Sequence, residues 1–246
     1  MNSKYTHITA LTCALFLGSA ALSHAVVLIS EDFSYSDGGL NGRNGGIGFS
    51  GGWTSTTDVS GGVATGNAGS TRNFASSLGI SGDIWVSFDW GYTTAPTENG
   101  SFGGLTFYAG GDEKQLIGNT WPGSGHDQWG TNGATLSLVS NVGMKTGVAK
   151  ITLGGAGANN DMIQVWVGAT GSPVDVSGAA LLTATGRDLE NLDAIRINGQ
   201  DFGGNPGQGF DNLLIGTTMA DVDAVPEPSA ALLGGLGLFA LLRRRR

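Results

Sequence analysis

The sequence predicts an all-β body made of two packed antiparallel sheets, and three observations carry that reading. Glycine punctuates the chain, 44 residues of 246. No stretch sustains a 3.6-residue apolar period over three turns. Short runs of β-branched and aromatic residues recur instead, at intervals of roughly 8 to 15 residues. About a dozen such strands with no helix between them must bury one face each, which a sandwich does. No internal period points to a solenoid or propeller, and no internal boundary divides the body, whose length of about 200 residues suits a single core.

Taken in order, residues 26–33 (VVLISEDF) open the series. Residues 83–90 (DIWVSFDW) are its clearest member. Period-2 alternation puts Ile84, Val86, Phe88 and Trp90 on one face and Asp83, Ser87 and Asp89 on the other, expected to be solvated. Residues 105–109, 135–140, 148–153, 162–169, 192–198 and 210–217 continue the series, with weaker runs at 59–66, 114–117 and 179–183.

Both termini read as targeting segments. Lys4 precedes an apolar run over 8–22, and Ser23-His24-Ala25 has the small-x-small form of a cleavage site. Residues 1–25 are therefore expected to be a signal peptide, used by the Sec export machinery and cut after Ala25 by signal peptidase. Cys13, the sole cysteine, lies inside it, so the mature chain has no disulfide or thiolate chemistry. At the other end, Pro226, Glu227 and Pro228 precede an uncharged stretch, 230–242, and then Arg243, Arg244, Arg245 and Arg246. As a helix that stretch is about 20 Å long against a hydrocarbon core of roughly 30 Å, with arginines reaching outward to lengthen it. The arginines stay cytoplasmic. Pro-Glu-Pro, a short Gly/Leu-rich segment and a terminal Arg cluster, together 225–246, resemble the PEP-CTERM sorting signal of Gram-negative bacteria that make extracellular polysaccharide. The resemblance implies transient inner-membrane anchoring, cleavage near Pro226–Pro228 by an exosortase, and delivery to the surface or matrix.

Two further stretches carry a second resemblance. Residues 31–53 (EDFSYSDGGLNGRNGGIGFSGGW) and 210–222 (FDNLLIGTTMADV) are similar to the first and last strands of concanavalin A-like (laminin G-like) jelly rolls. The resemblance implies a jelly-roll sandwich over 26–222 whose terminal strands pair in one sheet.

The body holds nineteen acids (all but Glu227) against seven bases, a surplus of twelve acids. Such a surface repels nucleic acid and anionic lipid, which excludes a DNA-binding role. Asp188, Glu190 and Asp193 first suggest catalysis. Alternating acids on a strand share one face about 6.5 to 7 Å apart, near the spacing for glycoside hydrolysis. Laminarinase-type jelly rolls use Glu-x-Asp-x-x-Glu, whereas this chain has Asp-x-Glu-x-x-Asp, so a solvated loop leading into a strand is preferred. Trp121, His126, Asp127, Gln128 and Trp129 lie in a glycine-rich loop. Indole faces stack on sugars and the polar side chains bind hydroxyls, so these five are the candidate ligand surface; tryptophans capping one end of the core are the plainer alternative. Residues 154–161 read as a hairpin loop. Asp201, Asn205 and Asp211 offer oxygen ligands for Ca²⁺, which some jelly rolls of this type hold. The sequence thus reads as an exported surface or matrix protein with a non-catalytic body, structural or glycan-binding. A secreted polysaccharide-cleaving enzyme is the alternative.

Overall fold

The computed structural model describes residues 26–66, 69–79, 81–96, 102–120, 128–132, 134, 137–157, 159–200 and 207–223. The expected signal peptide and the whole tail, including Ala25, Pro226, Glu227, Pro228, Arg243, Arg244, Arg245 and Arg246, lie outside the described residues. Among the described residues no helix is long and apolar enough to cross a membrane.

Fifteen strands are described: β1 Val27–Glu31, β2 Gly38–Gly39, β3 Phe49–Thr54, β4 Asp58–Ser60, β5 Val63–Thr65, β6 Ser70–Phe74, β7 Ser81–Tyr92, β8 Phe102–Ala109, β9 Asp112–Asn119, β10 Gly130–Thr131, β11 Lys145–Gly154, β12 Asp161–Ala169, β13 Leu182–Arg187, β14 Ala194–Gln200 and β15 Gln208–Gly216. One helical turn, α1 Met219–Val222, follows. The strands form two antiparallel sheets. One holds nine strands in the order β13-β12-β11-β7-β15-β5-β4-β2, with β1 beside β15; the other holds six, β10-β9-β8-β14-β6-β3. The body is the all-β jelly-roll sandwich expected from the sequence, with its terminal strands side by side, Val27 opposite Gly216 and Glu31 opposite Leu213.

β7 is the spine of the larger sheet. Ile84, Val86, Phe88 and Trp90 point inward and are buried. Phe88 stacks on Phe210 at 5.3 Å, and Trp90 packs edge-on to Tyr92 at 5.1 Å and donates its indole N–H to Gln208 at 2.9 Å. The opposite face departs from expectation. Ser87 and Asp89 are only 3% and 5% exposed, because the 170–180 segment and α1 lie over that face. Asp89 accepts hydrogen bonds from Thr146 Oγ1 and from Asn212 Nδ2.

The N-terminal segment is tied down by a buried ion pair. Arg72 of β6 meets Glu31 of β1 at 2.6 Å, both side chains essentially without exposure. Glu31 also accepts from the Phe33 N–H, Tyr35 Oη and Trp53 Nε1. Arg72 donates further to the Gly51 and Gly45 carbonyls and to Asn44 Oδ1, and its guanidinium lies 4.1 Å from the Phe49 ring centroid. Glu31, Tyr35 and Trp53, read from sequence as a family signature, are therefore the walls of one polar core. The run at 59–66 is two strands, not one. Gly61 and Gly62 both take positive φ, 60° and 81°, and turn β4 into β5. Of the run expected at 135–140, residues 135 and 136 lie outside the described residues, and 137–140 form no strand, with Ser140 bridged to Gln128.

Candidate functional site

The loop proposed as a ligand surface divides. Trp121, His126 and Asp127 lie outside the described residues. Gln128 is half-buried at the bridge to Ser140, and its carbonyl accepts from Asn141 Nδ2 at 3.1 Å. Trp129 is fully buried, which corrects its assignment as a sugar-stacking residue. Its backbone N–H donates to the Val139 carbonyl and its own carbonyl accepts from Ser137, which folds residue 129 back over the end of the core. There the indole packs against Phe88 at 5.8 Å and edge-on to Trp90 at 5.2 Å. Gly147 on β11 leaves the space: a Cβ there would sit 2.7 Å from Trp129 Cζ3. An indole enclosed on both faces has none to offer a sugar ring.

The acids Asp188, Glu190 and Asp193 share no strand face. They lie in the turn between β13 and β14, with Asn191 at φ 56° and Leu189 and Leu192 buried beneath. Asp188 pairs with Lys114 at 2.9 Å, Glu190 accepts the Gly157 N–H, and Asp193 accepts the Gly110 N–H. Asp188 thus ties the turn to β9, Glu190 ties it to the β11–β12 connection, and Asp193 to the β8–β9 turn. Residues 154–161 are the β11–β12 hairpin, with Asp161 accepting from Gly154 and Leu189 N–H groups.

Of the cation candidates, Asp201 and Asn205 lie outside the described residues. Asp211 sits in β15 beside a bulge, where Asn212 takes φ 52°. Burial pushes the Asp211 carboxyl up to about 6; the Asn212 N–H opposes this, and Asp89, Asp32 and Glu31 reinforce it. Among the described residues, no three of His, Cys, Asp and Glu converge on a metal position.

An open pocket lies on the face of the six-stranded sheet turned away from the core. Its walls include Ser50 of β3, Thr71 and Asn73 of β6, Tyr108 of β8 and Asp193 before β14. Register explains the gathering: Asn73 lies opposite Ala194 and Ser50, and Ala194 lies opposite Tyr108. Inward partners on the same strands, Arg72, Ile195 and Phe107, are buried, so alternation turns these polar residues outward. Tyr108 donates to Glu113 Oε2 at 3.3 Å, and that oxygen also pairs with Arg196 at 2.9 Å, whose guanidinium lies 5.1 Å from the Tyr108 ring centroid. Burial first, and then Glu113, push the Tyr108 phenol up to about 12 against the opposing pull of Arg196, so it stays protonated at neutral pH. The pocket thus presents one phenol ring, hydroxyls, an amide and a carboxylate already engaged. The sequence reading missed it; the signal was the outward half of the strand alternation at Tyr108 and Asn73.

Residues 224–246 match the PEP-CTERM protein-sorting motif. The motif implies export, a membrane-anchoring tail and processing by an exosortase. No curated protein matches the chain. Among solved structures, the chain is similar to an endo-β-1,4-glucuronan lyase from the fungus Trichoderma reesei, at 14% identity and TM-score 0.48, covering 79% of this chain and 97% of that one. It is similar to the alginate lyase Aly36B at 11% identity and TM-score 0.44, covering 76% and 95%. The Ca²⁺/Man3GlcNAc-bound exoplasmic/lumenal domain of VIP36 is similar at 10% identity and TM-score 0.43, covering 71% and 88%.

Proposed function

We propose that the body borne by this sorting tail is a non-catalytic, glycan-binding module of the cell surface or extracellular matrix. It enters export through a signal cut after Ala25, and its tail is cut near Pro226–Pro228. The pocket over the six-stranded sheet carries the reading. A phenol ring beside hydroxyl, amide and carboxylate groups is the chemistry that holds sugar rings and their hydroxyls. In the sequence, Trp121, His126, Asp127 and Gln128 fall between β9 and β10 and are kept as a second candidate contact. Trp129 is the buried anchor of that loop. The non-catalytic part is supported by the described acids of the turn, each already engaged by a neighbouring strand or loop, and by a Tyr108 phenol too weakly acidic to serve as a base near neutral pH. The surplus of acids favours a neutral or weakly cationic polysaccharide.

Affinity electrophoresis of the mature protein through gels containing neutral polysaccharides tests this. Retardation is expected for the wild type, weakened by Tyr108→Ala and Asn73→Ala with melting temperature nearly unchanged. Equal mobility in every gel, or retention unaffected by both substitutions, contradicts the assignment.

A further inference from the structure

The backbone nitrogen of Val26 lies 2.9 Å from Asp221 Oδ1, 195 residues along the chain. Asp221 is 5% exposed. Its second oxygen accepts from the Thr217 N–H, the Thr217 hydroxyl and the Thr218 N–H. The pairing of β1 with β15 brings the two ends together, and Gly216 makes room for the carboxylate, since a Cβ there would sit 2.3 Å from Asp221 Cβ. Burial pushes the Asp221 carboxyl up, but the N–H and hydroxyl donors of Thr218, with the N–H groups of Thr217 and Val26, outweigh it and hold it below its ordinary value. It is therefore ionised at neutral pH. The elements packed against α1 are β15 and β7. Their titratable groups are Asp83, Asp89 and Tyr92 of β7 and Asp211 of β15; Asp83 is paired with Lys150, Asp223 follows α1, and the 170–180 segment beside Met219 carries Asp175. Among the described residues no lysine or arginine pairs with Asp221. A buried carboxylate served by neutral donors alone is an incomplete arrangement, because buried charges ordinarily have a counter-charge.

We propose that removal of the signal peptide supplies that counter-charge. Hydrolysis of the Ala25–Val26 bond gives the carbonyl carbon a hydroxyl from water. It leaves Val26 a free amine, which takes a proton from solvent at neutral pH. The nitrogen that donated one neutral N–H to the Asp221 carboxylate becomes an ammonium, and a hydrogen bond charged on one side becomes an ion pair charged on both. Export processing thereby locks the first strand to the turn that directly precedes the sorting motif at 224–246. The ammonium pKa rises above the usual 7.7–8.0 for an α-amino group. The sign follows: stability from the pair is fully present below about pH 8 and is lost as pH rises through the raised value.

This inference rests on cleavage after Ala25, and the test separates the two. Protein recovered from the cell surface is analysed by intact mass to fix its first residue. Val26 is then acylated with an N-hydroxysuccinimide ester at pH 7, and melting is followed from pH 6 to pH 10. A variant with Gly-Ser inserted between Ala25 and Val26 keeps the neutral hydrogen bond but moves the amine away; Asp221→Asn removes the carboxylate. Wild-type Val26 should react about tenfold more slowly than the inserted amine for each unit of raised pKa. Its melting temperature should fall between pH 7 and 10 by more than the insertion variant's. A Val26 start with equal acylation rates and parallel melting profiles overturns the ion pair and leaves the cleavage reading standing. A different first residue overturns both. If Asp221→Asn does not fold, the insertion variant still decides.

Discussion

Replacing Arg72 by methionine should be among the most damaging single changes in the body. Methionine fills a similar volume, so the perturbation is mainly electrostatic. It strips Glu31 of a cation 2.6 Å away and leaves the carboxylate with only the Phe33 N–H, Tyr35 hydroxyl and Trp53 indole as donors. It also removes one donor from the Gly45 and Gly51 carbonyls and from Asn44 Oδ1. Breaking a buried pair by removing one partner costs about 3–5 kcal/mol, a large share of the roughly 5–15 kcal/mol that holds a domain together. For a body of about 200 residues that lowers the melting temperature by roughly 7–12 °C. Glu31→Gln should cost a similar amount, by stranding the guanidinium. The double variant should cost markedly less than the sum, because neither charge is then left alone. Urea melts followed by tryptophan fluorescence give all four corners of the cycle. A cost below about 1 kcal/mol for Arg72→Met, or strict additivity in the double variant, refutes the claim that the pair organises the N-terminal segment.

Other expectations follow from the same geometry. Trp129→Ala should cost about 3–5 kcal/mol in urea melts through a core cavity, while leaving polysaccharide retention unchanged in affinity gels. Gly147→Ala, which drives a methyl into that indole, should cost about 1–3 kcal/mol in the same melts. Asp89→Ala should cost about 1–3 kcal/mol, because it strands the Thr146 and Asn212 donors on a covered face. Asp211, with its carboxyl raised to about 6, is harder to ionise folded than unfolded, so it lowers stability as pH rises from about 4 through 6. Asp211→Asn should therefore raise stability at pH 8 by on the order of 1 kcal/mol and change little at pH 4, as paired melts will show.

How far the sequence could be read depended on where each residue's partner lies. β7, β11 and β12 alternate apolar residues over long runs, and they were legible because alternation is local. β6 was not legible: its inward position is held by Arg72, whose partner Glu31 lies 41 residues earlier, and no local pattern predicts a buried charge. β2 and β3 are largely glycine and serine, so their strand state comes from neighbours rather than propensity. The loop with two tryptophans looked exposed because glycine-rich polar loops usually are. Trp129 is buried because Gly147, on a distant strand, vacates its space. The pocket at Tyr108 gathers residues from β3, β6, β8 and the turn before β14, which only the strand order β8-β14-β6-β3 brings together.

The central property proposed for the body is that it holds polysaccharide without cutting it. Size-exclusion chromatography with light scattering tests both halves at once, on mature protein incubated for hours with the producing cell's neutral extracellular polysaccharide. Protein is expected to co-elute with the polymer, with the polymer's molar mass unchanged, and Tyr108→Ala should shift protein back to its free elution volume. A falling polymer mass, or protein that elutes free of it throughout, contradicts a non-catalytic glycan-binding body.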